Sequence, residues 1–232
     1  MRNRDRRDSK PAQRTTISKA VSQVLTDIET RVLGALVEKQ VTTPEYYPLT
    51  LNALTLACNQ KNNRYPVTSY SESQVSAAVE SLREKNLAYV FYGSTSRVPK
   101  YKHVMPEVLH LNHAEVALMC VLMLRGPQTP GELRGNASRL HEFGGLEEIE
   151  QTLNALISRD SDPLVVRLPR QAGQKEVRFA HLLSGEVPVE SVVERPRPTP
   201  ERRISLEQKV DMLAAEIGKL RQDFEEFKKQ FQ

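Results

Sequence analysis

The sequence has two cysteines, no apolar stretch of bilayer length and none of the short motifs that mark common catalytic centres. Cys58 and Cys120 have no cysteine nearby, which excludes a paired-thiol zinc or redox motif and leaves both as small buried hydrophobes. No run approaches the roughly eighteen apolar residues of a membrane span. The first residues, with Arg2, Arg4, Asp5, Arg6, Arg7 and Asp8, lack the apolar core of a secretory signal, so a cytoplasmic protein with no membrane partner is expected. A glycine-rich phosphate loop, a nucleophile elbow and paired catalytic carboxylates are all missing, so neither an enzyme nor a cofactor is expected. His103, His110 and His113 lack i, i+4 spacing and an accompanying cysteine, which argues against a metal site.

Positive charge is scarce where a duplex reader needs it. The net charge is +4, but residues 1–24 alone carry +5 and residues 25–105 only +2. Residues 106–184 carry −2 and residues 185–232 carry −1. A folded DNA reader concentrates basic residues on one face of a domain. Here the excess sits in a polar N-terminal tail, residues 1–24, that lacks apolar periodicity and is expected to be disordered.

Order begins at Thr26, which forms a capping box with Glu29. Ile28, Val32, Leu33, Leu36 and Val37 then make an apolar stripe at helical spacing, ending near Gln40. A second helix is expected over Leu49 to Gln60, and Ser71 with Gln74 opens a third that turns Val75, Val79 and Leu82 inward. The period then changes: Leu87–Tyr92 and Arg97–Val104 read as strands around a Gly93-Ser94 turn. Three helices and a hairpin constitute a winged helix-turn-helix.

The order then repeats. Leu25, Glu29, Leu36, Thr43 and Pro44 match Leu111, Glu115, Leu122, Thr129 and Pro130 at a constant offset of 86. Val75, Val79 and Leu82 match Ile149, Leu153 and Leu156 at an offset of 74, so the first copy is longer by about twelve residues around Asn59–Ser69. Strands are expected at Leu164–Leu168 and Val177–Leu182, with Gly173 between them. The expected fold is therefore mainly α with small β-hairpins, an α+β chain of two tandem winged-helix domains over 25–105 and 106–184.

A proline-rich linker follows at 185–203, semi-rigid because its prolines favour extended backbone. Beyond it, over 204–232, Leu206, Val210, Leu213, Ile217, Leu220, Phe224, Phe227 and Phe231 alternate at spacings of four and three, a coiled-coil seam. With Val210 at position a, Glu216 and Asp223 face Arg221 and Lys228 across a parallel homodimer. A single amphipathic helix folded on its own domains, a trimer or a partner-binding helix are the alternatives.

The stretch Glu38-Lys39-Gln40 through Thr42-Thr43-Pro44, Tyr47-Pro48-Leu49, Leu51-Asn52, Ala57-Cys58-Asn59-Gln60-Lys61 and Asn63-Arg64 resembles the YceH-like family of bacterial proteins. The run from Leu124 through Gly126-Pro127-Gln128-Thr129-Pro130 to Arg134 is similar to that family's second signature. The resemblance covers residues 25 to about 185, implies a tandem winged-helix fold and supplies no activity.

Asn59, Gln60, Lys61, Asn63 and Arg64 crowd amide and cationic groups between the second and third helices, where they either contact nucleic acid or cap and satisfy the turn. Arg97, Lys100 and Lys102 place further charge on the wing, as phosphate contacts or as a guarded hairpin edge. Third-helix acids, Glu72, Glu80 and Glu84 in the first copy and Glu147, Glu148 and Glu150 in the second, disfavour ordinary major-groove reading. Two functions remain. One is a DNA-binding, regulator-like homodimer that grips double-stranded DNA through the first winged helix. The other is a scaffold whose winged helices and coiled coil bind a protein partner. The frequency of DNA binding among winged helices favours the former.

Overall fold

The computed structural model describes residues 24–92, 98–160, 162–170 and 176–185, together with six positions near the C-terminus. The described residues up to 185 belong to one compact unit and those from 214 to a second. In the second unit Ala214, Ala215, Ile217, Gly218, Arg221 and Lys228 are helical. The N-terminal residues before Val24, residues 93–97 with Arg97, most of the proline-rich stretch and the seam residues Leu206, Val210, Leu213, Leu220, Phe224, Phe227 and Phe231 lie outside the described residues.

The first unit mixes helices with two small antiparallel sheets. Its first copy contributes α1 (Asp27–Thr42), β1 (Leu49–Thr50), α2 (Leu51–Cys58), α3 (Glu72–Glu84), β2 (Ala88–Phe91) and β3 (Lys100–His103). A short helix α4 (Met105–Leu109) leads to the second copy, with α5 (His113–Arg125), α6 (Pro130–Ala137), α7 (Leu146–Ile157), β4 (Val165–Arg167) and β5 (Phe179–His181). Capping boxes start α1 at Thr26/Glu29, α3 at Ser71/Gln74, α5 at Asn112/Glu115 and α6 at Thr129/Glu132. The second helix begins at Leu51, two residues later than its apolar pattern suggests, because Leu49 and Thr50 are drawn into pairing with Tyr101 and Lys100. The first sheet has the order β1-β3-β2, and in the second β4 pairs with β5.

The two copies share one core. Helices α1 and α5 pack directly on each other, and their start points, Asp27 and His113, keep the offset of 86. Gly34 and Cys120, counterparts at that offset, touch: the Cys120 thiol donates to the Gly34 carbonyl at 3.5 Å. A Cβ on Gly34 would lie 2.9 Å from Leu124 Cδ2 and 3.3 Å from Met123 Cβ, so the glycine permits the close approach.

Burial on every side makes α1 and α5 core helices rather than surface amphipaths. Glu29, Thr30, Arg31 and Glu38 of α1 are consequently taken out of water, and each polar group so buried requires a partner. Lys85 reaches Glu29 at 2.7 Å. Burial alone would raise the Glu29 carboxyl, but hydrogen bonds from Lys85, Ser81 and Thr26 outweigh it and hold the group below its ordinary value. Thr30 shares a hydrogen bond of 2.8 Å with Ser184 at the far end of the second copy. Among the described residues no helix is long and apolar enough to cross a membrane.

Candidate nucleic-acid interface

The extra residues of the first copy, between α2 and α3, fold against the end of α1. Asn59 clasps this segment: its Nδ2 donates to the Tyr70 carbonyl and its Oδ1 accepts from the Tyr70 amide, both at 2.8 Å. Arg64 folds inward. All five of its N–H groups are used, on Glu38 Oε1 and Oε2 at 3.1 and 2.6 Å, on the Ala57 carbonyl at 2.9 and 3.1 Å, and on the Asn63 carbonyl at 3.0 Å. Its side chain is 0% exposed. Of the two expected roles Arg64 takes that of satisfying the turn, because a guanidinium with no free donor and no exposure cannot meet a phosphate, and Asn59 spends its amide on Tyr70.

The remaining members of the cluster do face open space. Gln60, Lys61 and Asn63 line a cleft of about 630 Å³ with Lys39, Thr42 and Arg139. It adjoins an inner cavity of about 170 Å³ where Asn63 and Arg139 recur beside Arg125, Asn136 and Glu38. Asn63 adopts a left-handed φ of 61° and its Oδ1 accepts from Arg125, which ties the turn of the first copy to α5 of the second. Burial pushes the Arg125 guanidinium below its ordinary value, the charge of Glu38 opposes this, and those of Arg64 and Arg139 add to it, so these groups lie within electrostatic reach of one another. Among the described residues Glu38 is the one carboxylate lining either space, and Arg64 already pairs with it. Lys39, Lys61, Arg125 and Arg139 thus leave a net positive cleft, an arrangement suited to an anion such as a phosphodiester.

A family profile described as a protein of unknown function, DUF480, matches residues 25–174. A UPF0502 protein of Opitutus terrae is 56% identical over 191 residues, spanning 82% of this chain and 83% of its own. The UPF0502 protein GSU0233 of Geobacter sulfurreducens is 50% identical over 219 residues, 90% of this chain and 99% of its own. The chain belongs to the UPF0502 family. The matched region of this UPF0502 chain contains α1, α5 and every residue named for the cationic cleft.

Elsewhere on the first copy of the UPF0502 chain, the outer face of the hairpin alternates aromatic and cationic groups. Tyr89 pairs with Lys102 and Phe91 with Lys100 across β2 and β3, and Lys102 Nζ lies 5.9 Å from the Tyr89 ring centroid. Tyr101 and His103 of the same strand turn inward, and burial drives the His103 imidazole down to about 4. On α3, Glu72, Glu80 and Glu84 are exposed and Arg83 is paired with Glu80, so that helix offers no free cation to a phosphate. Among the described residues no group of three or more His, Cys, Asp or Glu side chains is placed to hold a metal ion. Both cysteines are buried free thiols, and burial pushes Cys58 up to about 12.

Sequence reasoning missed Lys39, Arg125 and Arg139. The first two stand inside the stretches that carry the family resemblance, but Arg139 sits in a polar segment after α6 with no motif around it. Only the fold brings it to Lys61.

Proposed function

We propose that this protein binds double-stranded DNA through the phosphate backbone, as a tandem winged-helix protein that presents the cleft between its two copies. The observation that carries this reading is the cleft's charge: four cations around two adjoining cavities whose single carboxylate is internally neutralised. Three helices followed by a hairpin in each copy support the winged-helix assignment. Lys100 and Lys102, interleaved with Phe91 and Tyr89, form a second contact surface on the first wing. Acidic α3 stays out of the major groove, so contact is mainly to phosphates and only weakly sequence-selective. In this reading the C-terminal segment pairs two copies through its heptad seam, where Ile217 is 51% exposed in the single chain.

The test is fluorescence anisotropy of the full chain with a labelled duplex from low to physiological salt. Each phosphate contact contributes about 0.9 to the slope of log affinity against log salt. Replacing Lys61 and Arg139 together by alanine is expected to lower that slope by about 2 while the N-terminal tail contributes equally to both proteins. An unchanged slope overturns the cleft as the contact.

A second reading rests on Tyr46 and Leu56, 72% and 65% exposed on the first copy, with Val67 exposed as well. Large apolar side chains in water mark protein-docking surfaces. Under this reading the duplex does not bind, and Leu56→Asp abolishes capture of a protein partner without unfolding the chain.

A further inference from the structure

A third cavity, of about 350 Å³, lies where α1 of the first copy meets β5 of the second and shares no lining residue with the cationic cleft. Its wall is largely apolar, with Met123, Pro66, Pro127 and Ala180 beside the rings of Tyr65 and Tyr70. Three buried side-chain nitrogens among the described residues make no hydrogen bond, and two of them, Arg31 Nε and His181 Nδ1, belong to residues of this wall. Buried polar groups without partners are rare, and two of the three belong to residues that line this one cavity.

The chemistry of that ligand follows from the charges. Arg31 is 4% exposed, and among the described residues its terminal nitrogens donate only to neutral oxygens: the Cys58 and Pro66 carbonyls and the Thr68 hydroxyl, at 3.1, 2.7 and 3.1 Å. A buried guanidinium without a carboxylate is an electrostatic debt that an anionic group would settle. Asp27 stands four residues earlier on the same helix face and also lines the cavity, yet it forms no ion pair with Arg31. A buried cation and an exposed anion one helical turn apart, without an ion pair among the described residues and beside an apolar wall, match a small zwitterion with an apolar body. Burial drives His181 down to about 4, so at neutral pH it is an uncharged donor or acceptor that adds no second cation.

We infer that this cavity binds a free α-amino acid with an apolar side chain, its carboxylate on Arg31, its ammonium on Asp27 and its side chain among Met123, Pro66, Pro127 and the two tyrosines. Thr30 and Ser184, hydrogen-bonded to each other at the cavity wall, join the two copies there, so an occupant braces α1 against the end of the second copy.

The test uses the full chain with millimolar L-leucine, L-methionine or L-phenylalanine, followed by calorimetric titration and by the ring-nitrogen NMR resonances of His181, assigned with His181→Gln. At least one amino acid is expected to bind and to move the His181 resonances while those of His110 and His113 stay in place. Isocaproate and isoamylamine, which lack the ammonium and the carboxylate respectively, are expected to bind about tenfold more weakly or worse, and Asp27→Asn to weaken the amino acid by a similar factor. Equal binding of isocaproate, an unaffected Asp27→Asn variant, or no heat and no His181 shift with any of the three amino acids each overturns the assignment. Duplex binding is read separately and its failure leaves this result standing.

Discussion

Arg64→Ala tests the buried ion pair with Glu38, whose carboxylate lines the inner cavity. The substitution removes a guanidinium that donates five hydrogen bonds and leaves Glu38, whose side chain is 6% exposed, with Lys39 at 3.8 Å as its remaining cation. It also strips the Ala57 carbonyl, in the last turn of α2, of both its Arg64 donors. Removing one partner of a buried ion pair costs about 3–5 kcal/mol, because the other charge stays buried and unpaired. For a chain of this size each kcal/mol moves the melting temperature by about 2–4 °C, so the variant is expected to melt about 6–20 °C lower. Lys61→Ala, three residues away on the exposed turn, is expected to change stability by about 0.5 kcal/mol or less. The pair Glu38→Leu with Arg64→Met restores most of the loss, since apolar groups of similar volume need no partner. Urea unfolding followed by far-ultraviolet circular dichroism measures all of these. If Arg64→Ala falls as close to the parent as Lys61→Ala does, Arg64 is not a buried clasp and returns to the solvent-facing cations.

Stability is also expected to depend on pH through the buried histidines. Burial holds His103 and His181 down to about 4, against about 6.5 in the unfolded chain. The depressed groups contribute fully above pH 6.5, and the contribution is lost as pH falls toward 4, by up to about 1.4 kcal/mol per pH unit for each. Urea midpoints at pH 7.5 and pH 5 measure this, and His103→Gln is expected to flatten the dependence by about half; an unchanged pH profile refutes it. Gly34→Val, which forces a β-branched side chain against Leu124 and Met123, is expected to destabilise by about 1–3 kcal/mol. A variant as stable as the parent in urea shows that α1 and α5 have room to spare.

Helix positions were legible wherever local chemistry decides them. Thr26 with Glu29, Ser71 with Gln74 and Asn112 with Glu115 name their helix starts to the residue, because a capping box is a contact across three positions. The repeat at an offset of 86 located α5 from α1. What escaped depends on distant partners. Leu49 and Thr50 leave the helical pattern because a strand some fifty residues later pairs with them. Arg64 reads as a surface cation because nothing near it discloses that Glu38, 26 residues away, lies buried and charged. The cleft was half legible: Gln60, Lys61 and Asn63 sit on it, whereas Arg139 joins them only through the packing of the second copy.

The contact of Gly34 with Cys120 joins matching positions of the sequence repeat. Equivalent residues meet in this way across a two-fold axis, the geometry of a face that recognises itself. The matching positions nonetheless serve different roles. Position 34 has no side chain where position 120 has a thiol, and position 38 has a buried acid where position 124 has leucine. The longer turn that carries Arg64 answers that acid, so the cleft opens at a place where the two halves of the repeat do not match.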